Sequence, residues 1–235
     1  MALDHALRDR ADADGTTILR LYQWSGDTIS FGANEAATRH WDRARIEAER
    51  IAVVRRPTGG RAVWHSTSDL TYAITGPLTA YAGARSAYQR IHGHLAAALR
   101  RLGLEAECAP TPPRLPGLRR GACFDVAVGG EVLVAGQKVI GSAQVVTREA
   151  LLQHGAIARG DRLPLLAQFG SERNSSTPTG SWPTLPPVDA ITDAIATEWT
   201  SRGALPIPDE LTTWADAASV KHQARYRDPL WTWRR

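Results

Sequence analysis

Two side chains suited to covalent chemistry lie near each other in the middle of the sequence. Cys123 follows a glycine and an alanine, and Lys138 is the next basic residue along the chain. Only a thiolate is nucleophilic, and a neighbouring ammonium would favour it over the thiol, which otherwise titrates near ~8.5. A free cysteine is often an inert small hydrophobe and a lysine is often solvated. The two residues are therefore a candidate catalytic pair that their types alone do not establish.

The residues around Lys138 predict a β-hairpin. Residues 132–134 and 139–140 are β-forming, and residues 135–137 are few enough to close a tight turn. Lys138 then begins the return strand. The small residues 141–143 follow it, and they remove bulk where another group must approach the backbone closely.

A glycine loop upstream is the second informative feature. Residues 51–55 (IAVVR) read as a short buried strand, and RPTGGR follows at 56–61. Adjacent glycines permit positive φ and expose backbone N–H groups, as a cradle for a carboxylate, thioester or phosphate requires. The spacing matches neither standard nucleotide-binding glycine motif, so an ordinary tight turn is the competing interpretation.

Hydrophobic periodicity predicts both helices and strands elsewhere in the chain. His92 and His94 are two apart on one predicted helix, cannot face one metal ion together, and are expected at the surface. The strands at 17–24 and 28–32 are expected to pair as an opening hairpin. Helices are predicted at 1–10, 35–50, 84–102, 188–201 and 209–218, and further strands at 70–75 and 104–108, the latter at a sheet edge.

Length and composition limit the class of protein. The 235 residues, with a net charge of +4, suffice for one substantial core, and no apolar run is long enough to span a membrane. Without a leader pattern, we expect a cytoplasmic protein whose two cysteines, Cys108 and Cys123, are free thiols. No metal-ligand cluster and no nucleic-acid-binding module is recognisable. We expect a single catalytic domain over 1–235, with an irregular, proline-rich loop at 171–187 before a helical carboxy-terminal segment.

Several separated words of the sequence, in one order, resemble a known family. These are RRPTGGRAVWH at 55–65, CF at 123–124, GQKVIGSAQ at 136–144 and LLQHGAI at 151–157. Together they look like the lipoate-protein ligase and octanoyltransferase family of the biotin/lipoate ligase superfamily. The likeness is closest to the cysteine-dependent octanoyltransferases. It implies an α+β fold, a mixed and largely antiparallel β-sheet with packed helices.

The resemblance also implies a reaction and a set of site residues. Octanoyl would pass from acyl carrier protein to Cys123 and then to a lysine of a lipoyl-accepting protein, such as the glycine cleavage H protein or a dehydrogenase lipoyl domain. Lys138 would be the second catalytic residue, and no cofactor would be needed. The residues implied for substrate binding are Arg56, Gly59, Gly60, Arg61, His65, Gly141, Ser142, Ala143, Gln144, His154 and Gly155.

Two other functions remain compatible with the same residues. An ATP-dependent lipoate ligase would use ATP and Mg²⁺, hold an acyl-adenylate at the glycine loop, and leave Cys123 incidental. A sensor would bind a lipoyl or biotin-like ligand without turnover. The cysteine and the lack of a recognisable carboxy-terminal accessory domain favour the transferase.

Overall fold

The computed structural model describes residues 1–110, 129–170 and 181–234. The helices are α1 (Ala2–Asp14), α2 (Ala37–His40), α3 (Arg43–Ala48), α4 (Ala84–Arg101), α5 (Leu163–Ala167), α6 (Val188–Thr200), α7 (Asp209–Arg227) and α8 (Pro229–Thr232), with a 3-10 turn at Leu78–Tyr81. The strands are β1 (Ile18–Tyr22), β2 (Thr28–Phe31), β3 (Ala52–Arg55), β4 (Val63–His65), β5 (Leu70–Pro77), β6 (Ala106–Cys108), β7 (Val132–Val134), β8 (Gln137–Val146) and β9 (Ala150–Ile157). Among these residues, no helix has the length and apolar character that crossing a bilayer requires.

The strands form two sheets. The larger is antiparallel throughout, in the order β1-β5-β9-β8-β7-β6, and the smaller has the order β3-β2-β4 with β2 and β3 parallel. Strand β6 is at the edge of the larger sheet, as the sequence predicted, and β7 and β8 form the predicted hairpin. The fold is therefore α+β with a mixed, largely antiparallel set of strands.

Helix α4 supplies the main apolar contact with the larger sheet. Ile91, Leu95 and Leu99 recur at helical spacing and are buried against sheet residues that include Tyr72 and Ile140. Each such aliphatic side chain contributes roughly 1.5–3 kcal/mol when fully buried. Helix α6 packs on α4 from outside and adds Ile191 and Ile195 to the same core.

The predicted opening hairpin is wrong. Strand β1 pairs with β5 in the larger sheet, whereas β2 pairs with β3 and β4 in the smaller one. The chain changes sheet because Trp24, just after β1, packs between the two sheets: its indole N–H donates to Thr71 Oγ1 at 3.0 Å and its ring stacks on His65 at 4.5 Å. That contact separates the two strands.

Two predicted helix boundaries are also corrected. Residues 35–50 form α2 and α3 instead of one helix, because Trp41 is extended (φ −129°, ψ 137°) and the Asp42 carboxylate caps α3 by accepting from the Arg45 amide. Helix α7 continues to Arg227, nine residues beyond the predicted end at 218. The sequence offers no glycine or proline within that extension to end it.

Arg55, the last residue of β3, ties the carboxy-terminal helix to the smaller sheet. Its fully buried guanidinium donates to the backbone carbonyls of Gly32, Glu35, Trp231, Thr232 and Arg234 at 2.6–3.1 Å. Burial, together with the nearby Arg234, lowers the pKa of Arg55 to about 10. All three guanidinium nitrogens donate to backbone carbonyls, so Arg55 is a structural residue.

We predict that Arg55→Lys lowers the free energy of unfolding by about 2–4 kcal/mol, because a single ammonium cannot replace the planar fork and leaves carbonyls without donors. Urea denaturation measures the change. Arg43→Lys is the matched control: this arginine is exposed and paired with Glu47, so its substitution should cost less than about 0.5 kcal/mol. Equal effects of the two substitutions would contradict the assignment.

Candidate active site

A pocket of about 410 Å³ lies between the two sheets. The smaller sheet contributes Ser30, Val63 and His65, and Tyr22 and Trp24 lie at the amino-terminal side. The remaining lining residues are Met1, Arg56, Thr71, Gly141, Ser142, Ala143, His154, Gly155 and Ala156. We call this pocket the slot.

The register of the larger sheet explains why a slot forms there. Thr71 of β5 lies opposite Ala156 of β9, which lies opposite Gly141 of β8. In the neighbouring row, Ala73 pairs with His154, which pairs with Ala143. Residues in register share one face of a sheet, so mostly small side chains cross three adjacent strands on this face. They leave a narrow space under the smaller sheet.

The glycine loop adjoins the slot, which it lines through Arg56, and the same side chain holds the loop in place. This guanidinium is buried and donates to Ser30 O, Gly59 O and Arg61 O at 2.6–2.9 Å. Gly60, and not Gly59, has the positive φ that the sequence predicted (90°). A Cβ on Gly32 would lie 1.9 Å from the Gly60 carbonyl oxygen, so only glycine permits this close approach.

Two buried histidines flank the slot. His65 Nε2 lies 2.8 Å from Ser30 Oγ, and His154 Nε2 lies 2.6 Å from Thr58 Oγ1, which joins β9 to the glycine loop. Among the described residues, Nδ1 of each ring has no hydrogen-bond partner. Burial, and secondly Arg56, lowers the pKa of His65 to about 3; burial also lowers that of His154 to about 3, against a raising effect of Asp4. Both imidazoles are therefore neutral at pH 7.

Lys138 does not line the slot, although it is described and buried. Its Nζ lies 2.8 Å from Glu131 Oε1, and both side chains are about 5% exposed. Ile140 and Ser142 alternate along β8 on the face that meets α4, whereas Gly141 and Ala143 face the slot. Lys138 lies on the α4 side as well, because its partner Glu131 lies within 3.5 Å of the Tyr88 hydroxyl of that helix. The lysine and the slot thus approach β8 from opposite sides.

On the α4 side of the sheet, hydrogen bonds join Ser142 to Tyr72 and His92. Ser142 Oγ lies 2.6 Å from Tyr72 Oη and 2.8 Å from His92 Nε2, and Gln153 Nε2 donates to Tyr72 Oη at 2.9 Å. His92 is fully buried, so its predicted surface position is wrong: it faces the sheet because α4 turns it toward Ser142. Burial lowers the pKa of His92 to about 4. Tyr72 could not be assigned to the site from sequence because it matches an ordinary core pattern, and His92 could not because it was expected at the surface.

The structure therefore brings together most of the predicted site residues. Gln144 lies beside the slot residues and donates to Gln153, while Arg61 and Gly59 accept from Arg56 through their carbonyls. Cys123 lies outside the described residues. Cys108 is an exposed free thiol on β6, not a packing residue. The predicted residues that line the slot are Arg56, His65, Gly141, Ser142, Ala143, His154 and Gly155.

One group of potential metal ligands occurs in the described part of the chain, between α1 and α7. It consists of His5, Asp9 and His222. The two imidazole rings stack face to face at 3.8 Å, and Asp9 lies 2.9 Å from His222 Nε2 and 3.7 Å from His5 Nε2. Arg8 and Lys221 also pair with Asp9. In this arrangement the three side chains fasten α1 to α7.

The family model of the lipoyl protein ligase A/B catalytic domain matches residues 1–181. This chain belongs to that family. The fold is accordingly the α+β biotin/lipoate ligase fold, as the resemblance implied.

The similar curated proteins include octanoyltransferases. The octanoyltransferase LipM of Carboxydothermus hydrogenoformans is 39% identical over 161 residues, covering 67% of this chain and 59% of the relative. That of Moorella thermoacetica is 36% identical over 183 residues, covering 73% of this chain and 66% of the relative. The chain thus spans about 60% of the length of the first of these curated relatives.

Solved structures of similar shape are lipoate ligases. A bi-partite lipoate protein ligase of Thermoplasma acidophilum superposes with a TM-score of 0.74 at 18% identity, covering 99% of this chain and 89% of that one. A lipoate-protein ligase A bound with ATP also gives 0.74 at 18% identity, with 99% and 92% coverage. At this identity the likeness concerns the fold.

We predict that Gly155→Ala destabilises the sheet at the slot by about 1–3 kcal/mol. An added Cβ would lie 2.3 Å from Ser142 Oγ and 2.6 Å from Gly141 O, and the backbone carbonyl cannot swing aside. Thermal unfolding measures the effect. Gly26→Ala, where nothing lies within 4 Å of the new Cβ, should leave the melting temperature unchanged. An unaffected Gly155→Ala variant would show that β8 and β9 are less closely apposed.

We predict that acidification destabilises the protein through His65 and His154. Because folding lowers each pKa from 6.5 to about 3, the unfolded state binds more protons between these values. Stability is complete above about pH 7 and falls as the pH drops below 6.5, each histidine costing roughly 2 kcal/mol at pH 5. Urea denaturation at pH 7.5 and pH 5 measures the loss.

The control compares histidine-to-glutamine variants in the same pH experiment. His65→Gln and His154→Gln should each reduce the loss between pH 7.5 and pH 5, whatever their effect at pH 7.5. His40→Gln, at the end of α2, should retain the wild-type difference. An unchanged difference in both slot variants would mean that neither ring is buried in its neutral form.

Proposed function

We propose that this chain is an octanoyltransferase of lipoate biosynthesis. It transfers octanoyl from acyl carrier protein through a thioester on Cys123 to a lysine of a lipoyl-accepting protein. The observation that carries the proposal is the 31–39% identity to eight octanoyltransferases LipM, over two thirds or more of this chain. The slot supports it with a narrow, largely apolar space suited to an acyl chain.

The reaction proceeds in two acyl transfers. The Cys123 thiol loses its proton, the thiolate attacks the carbonyl carbon of the donor thioester, and the carbon–sulfur bond to the carrier breaks. The carrier sulfur takes up the proton that Cys123 lost and leaves as a thiol. The amine of the acceptor lysine then attacks the Cys123 thioester, an amide forms, and the cysteine thiol is regenerated. Because the acyl group waits on the enzyme, donor and acceptor can use one surface in turn.

The described residues assist these steps in two ways. The largely apolar lining of the slot suits an aliphatic chain, because His65 and His154 are uncharged and the Arg56 guanidinium is bonded to backbone carbonyls. In this scheme the acyl chain occupies the slot and the thioester carbonyl reaches the Lys138 side of β8, where the ammonium stabilises the thiolate and the developing oxyanion. Preorganised donors of this kind, including amides of residues 141–144, are each worth roughly 3 kcal/mol in comparable sites.

The proposal assigns two protein partners and no cofactor. The donor is acyl carrier protein, and the acceptor is a lipoyl-accepting protein such as the glycine cleavage H protein or a dehydrogenase lipoyl domain. The energy of the donor thioester drives amide formation, so neither ATP nor a metal ion is required.

A second candidate is the ATP-dependent lipoate ligase, which the fold favours, because one solved structure of the same shape is a lipoate-protein ligase A bound with ATP. In that scheme Arg61 and the glycine loop would hold an acyl-adenylate. We rank it second because the more similar relatives by sequence are octanoyltransferases.

The decisive experiment supplies the wild-type protein with an acceptor lipoyl domain and one of two donors. We expect octanoyl-carrier to modify the acceptor lysine, and ATP, Mg²⁺ and free octanoate to leave it unmodified. Without acceptor, mass spectrometry should detect one octanoyl group on the enzyme. Modification that requires ATP, with AMP released, would establish the ligase instead.

The Cys123→Ser variant is the matched control, since it changes one atom. It should be folded by circular dichroism, should not accumulate the octanoyl thioester, and should lose transfer by at least about 1,000-fold. Cys108→Ser, at the exposed cysteine of β6, should transfer at the wild-type rate. Wild-type activity in Cys123→Ser would exclude a covalent intermediate.

A further inference from the structure

Glu131 is a buried acidic residue that forms an ion pair with Lys138. Its Oε1 lies 2.8 Å from Lys138 Nζ, with the two side chains 4% and 5% exposed. A buried charge without a compensating partner is strongly disfavoured. Burial of the lysine beside β8 therefore depends on an acid of suitable length close by.

The backbone fixes the carboxylate from both sides. Glu131 immediately precedes β7, and its carbonyl accepts from the Ala109 amide at 2.7 Å, while the Gly130 amide donates back to the Ala109 carbonyl at 2.7 Å. Gly130 has a φ of 96°, which a residue with a side chain rarely adopts. This paired connection to the end of β6 holds Glu131 on a rigid element.

The hairpin sets the position of the lysine relative to this anchor. Its turn residues, Ala135 and Gly136, have φ values of 49° and 72°, and the register places Leu133 opposite Lys138. The pairing shifts between Val132 and Leu133, which marks a bulge or irregularity there. The hairpin thus carries the lysine back toward the residue before its first strand.

One further side chain joins this pair to the slot. The Tyr88 hydroxyl, on α4, lies 3.5 Å from Glu131 Oε1 and 3.4 Å from the carbonyl of Ser142, which lines the slot. Displacement of the carboxylate would therefore be transmitted both to Lys138 and, through Tyr88, to the backbone of Ser142.

We propose that Glu131 is a positioning residue for Lys138 in octanoyl transfer, an inference that rests on the proposed function. Glu131 need not touch the substrate. Its carboxylate compensates the charge of the Lys138 ammonium and holds the lysine side chain in one position. The N–H groups of Lys138 are therefore already oriented when the thioester arrives.

The test compares Glu131→Gln, Glu131→Asp and the control Glu107→Gln, an exposed residue on the neighbouring strand β6. For Glu131→Gln we expect kcat to fall about 100-fold, the cost typical of a displaced catalytic group, with KM for octanoyl-carrier unchanged within about twofold. Glu131→Asp keeps the charge and should restore about tenfold of the loss. Glu107→Gln should behave as wild type. Wild-type kcat in folded Glu131→Gln overturns the proposal.

A second measurement does not depend on transfer activity. The sequence has only two lysines, Lys138 and Lys221, so Lys221→Arg leaves a single lysine to follow. In that background, acetylation of Lys138 by an N-hydroxysuccinimide ester, located by peptide mass spectrometry, should be about tenfold faster after Glu131→Gln, because a side chain no longer held by the carboxylate is more accessible to the reagent.

These readouts separate the possible failures. If the wild-type protein transfers no octanoyl, the proposed function fails, and the acetylation rate alone decides whether Glu131 holds the lysine; equal rates overturn it. If Glu131→Gln does not fold, Glu131→Asp carries the test, and a folded Glu131→Asp with both wild-type kcat and a wild-type acetylation rate overturns a positional role. A purely structural role would lower the folded fraction while the folded molecules kept full kcat.

Discussion

The slot depends on the guanidinium of Arg56. By donating to Ser30, Gly59 and Arg61, this one side chain folds the glycine loop back onto the smaller sheet and satisfies carbonyls that the tight loop leaves without partners. The loop can then touch Gly32 and, through Thr58, His154 on the larger sheet. Arg56 was predicted to bind substrate, but its contacts show that it holds the glycine loop in place. A planar fork suits this task, because several carbonyls at different angles can share one buried cation.

Strand β8 separates two environments of different chemistry. On one side its small residues border a largely apolar space, and on the other its alternate residues enter a polar network with Tyr72 and His92. Ser142 and Gly155 belong to both, because Gly155 has no side chain and Ser142 packs directly against it. Because side chains alternate along a strand, one face of β8 borders the slot and the other face contributes to the polar network.

The sequence predicted the elements better than their partners. The hairpin before Lys138, helix α4 and the edge position of β6 follow from local propensity and periodicity, and the glycine loop follows from its composition. Residue pairings between distant strands do not, so the division into two sheets was missed, as was the burial of His92. The ion pair of Glu131 with Lys138 was equally inaccessible, because nothing in the local pattern distinguishes a buried acid at the start of a strand from a solvated one.

The contacts of Arg55 show that the folded unit extends beyond the family match. The family match stops at residue 181, yet the arginine that leads into the glycine loop donates to carbonyls at 231, 232 and 234. A fragment cut at residue 181 would leave the buried guanidinium of Arg55 without three of its acceptors and would loosen the residues that border the slot. Residues 231–234, which lie beyond the family match, therefore help to hold the smaller sheet beside the slot.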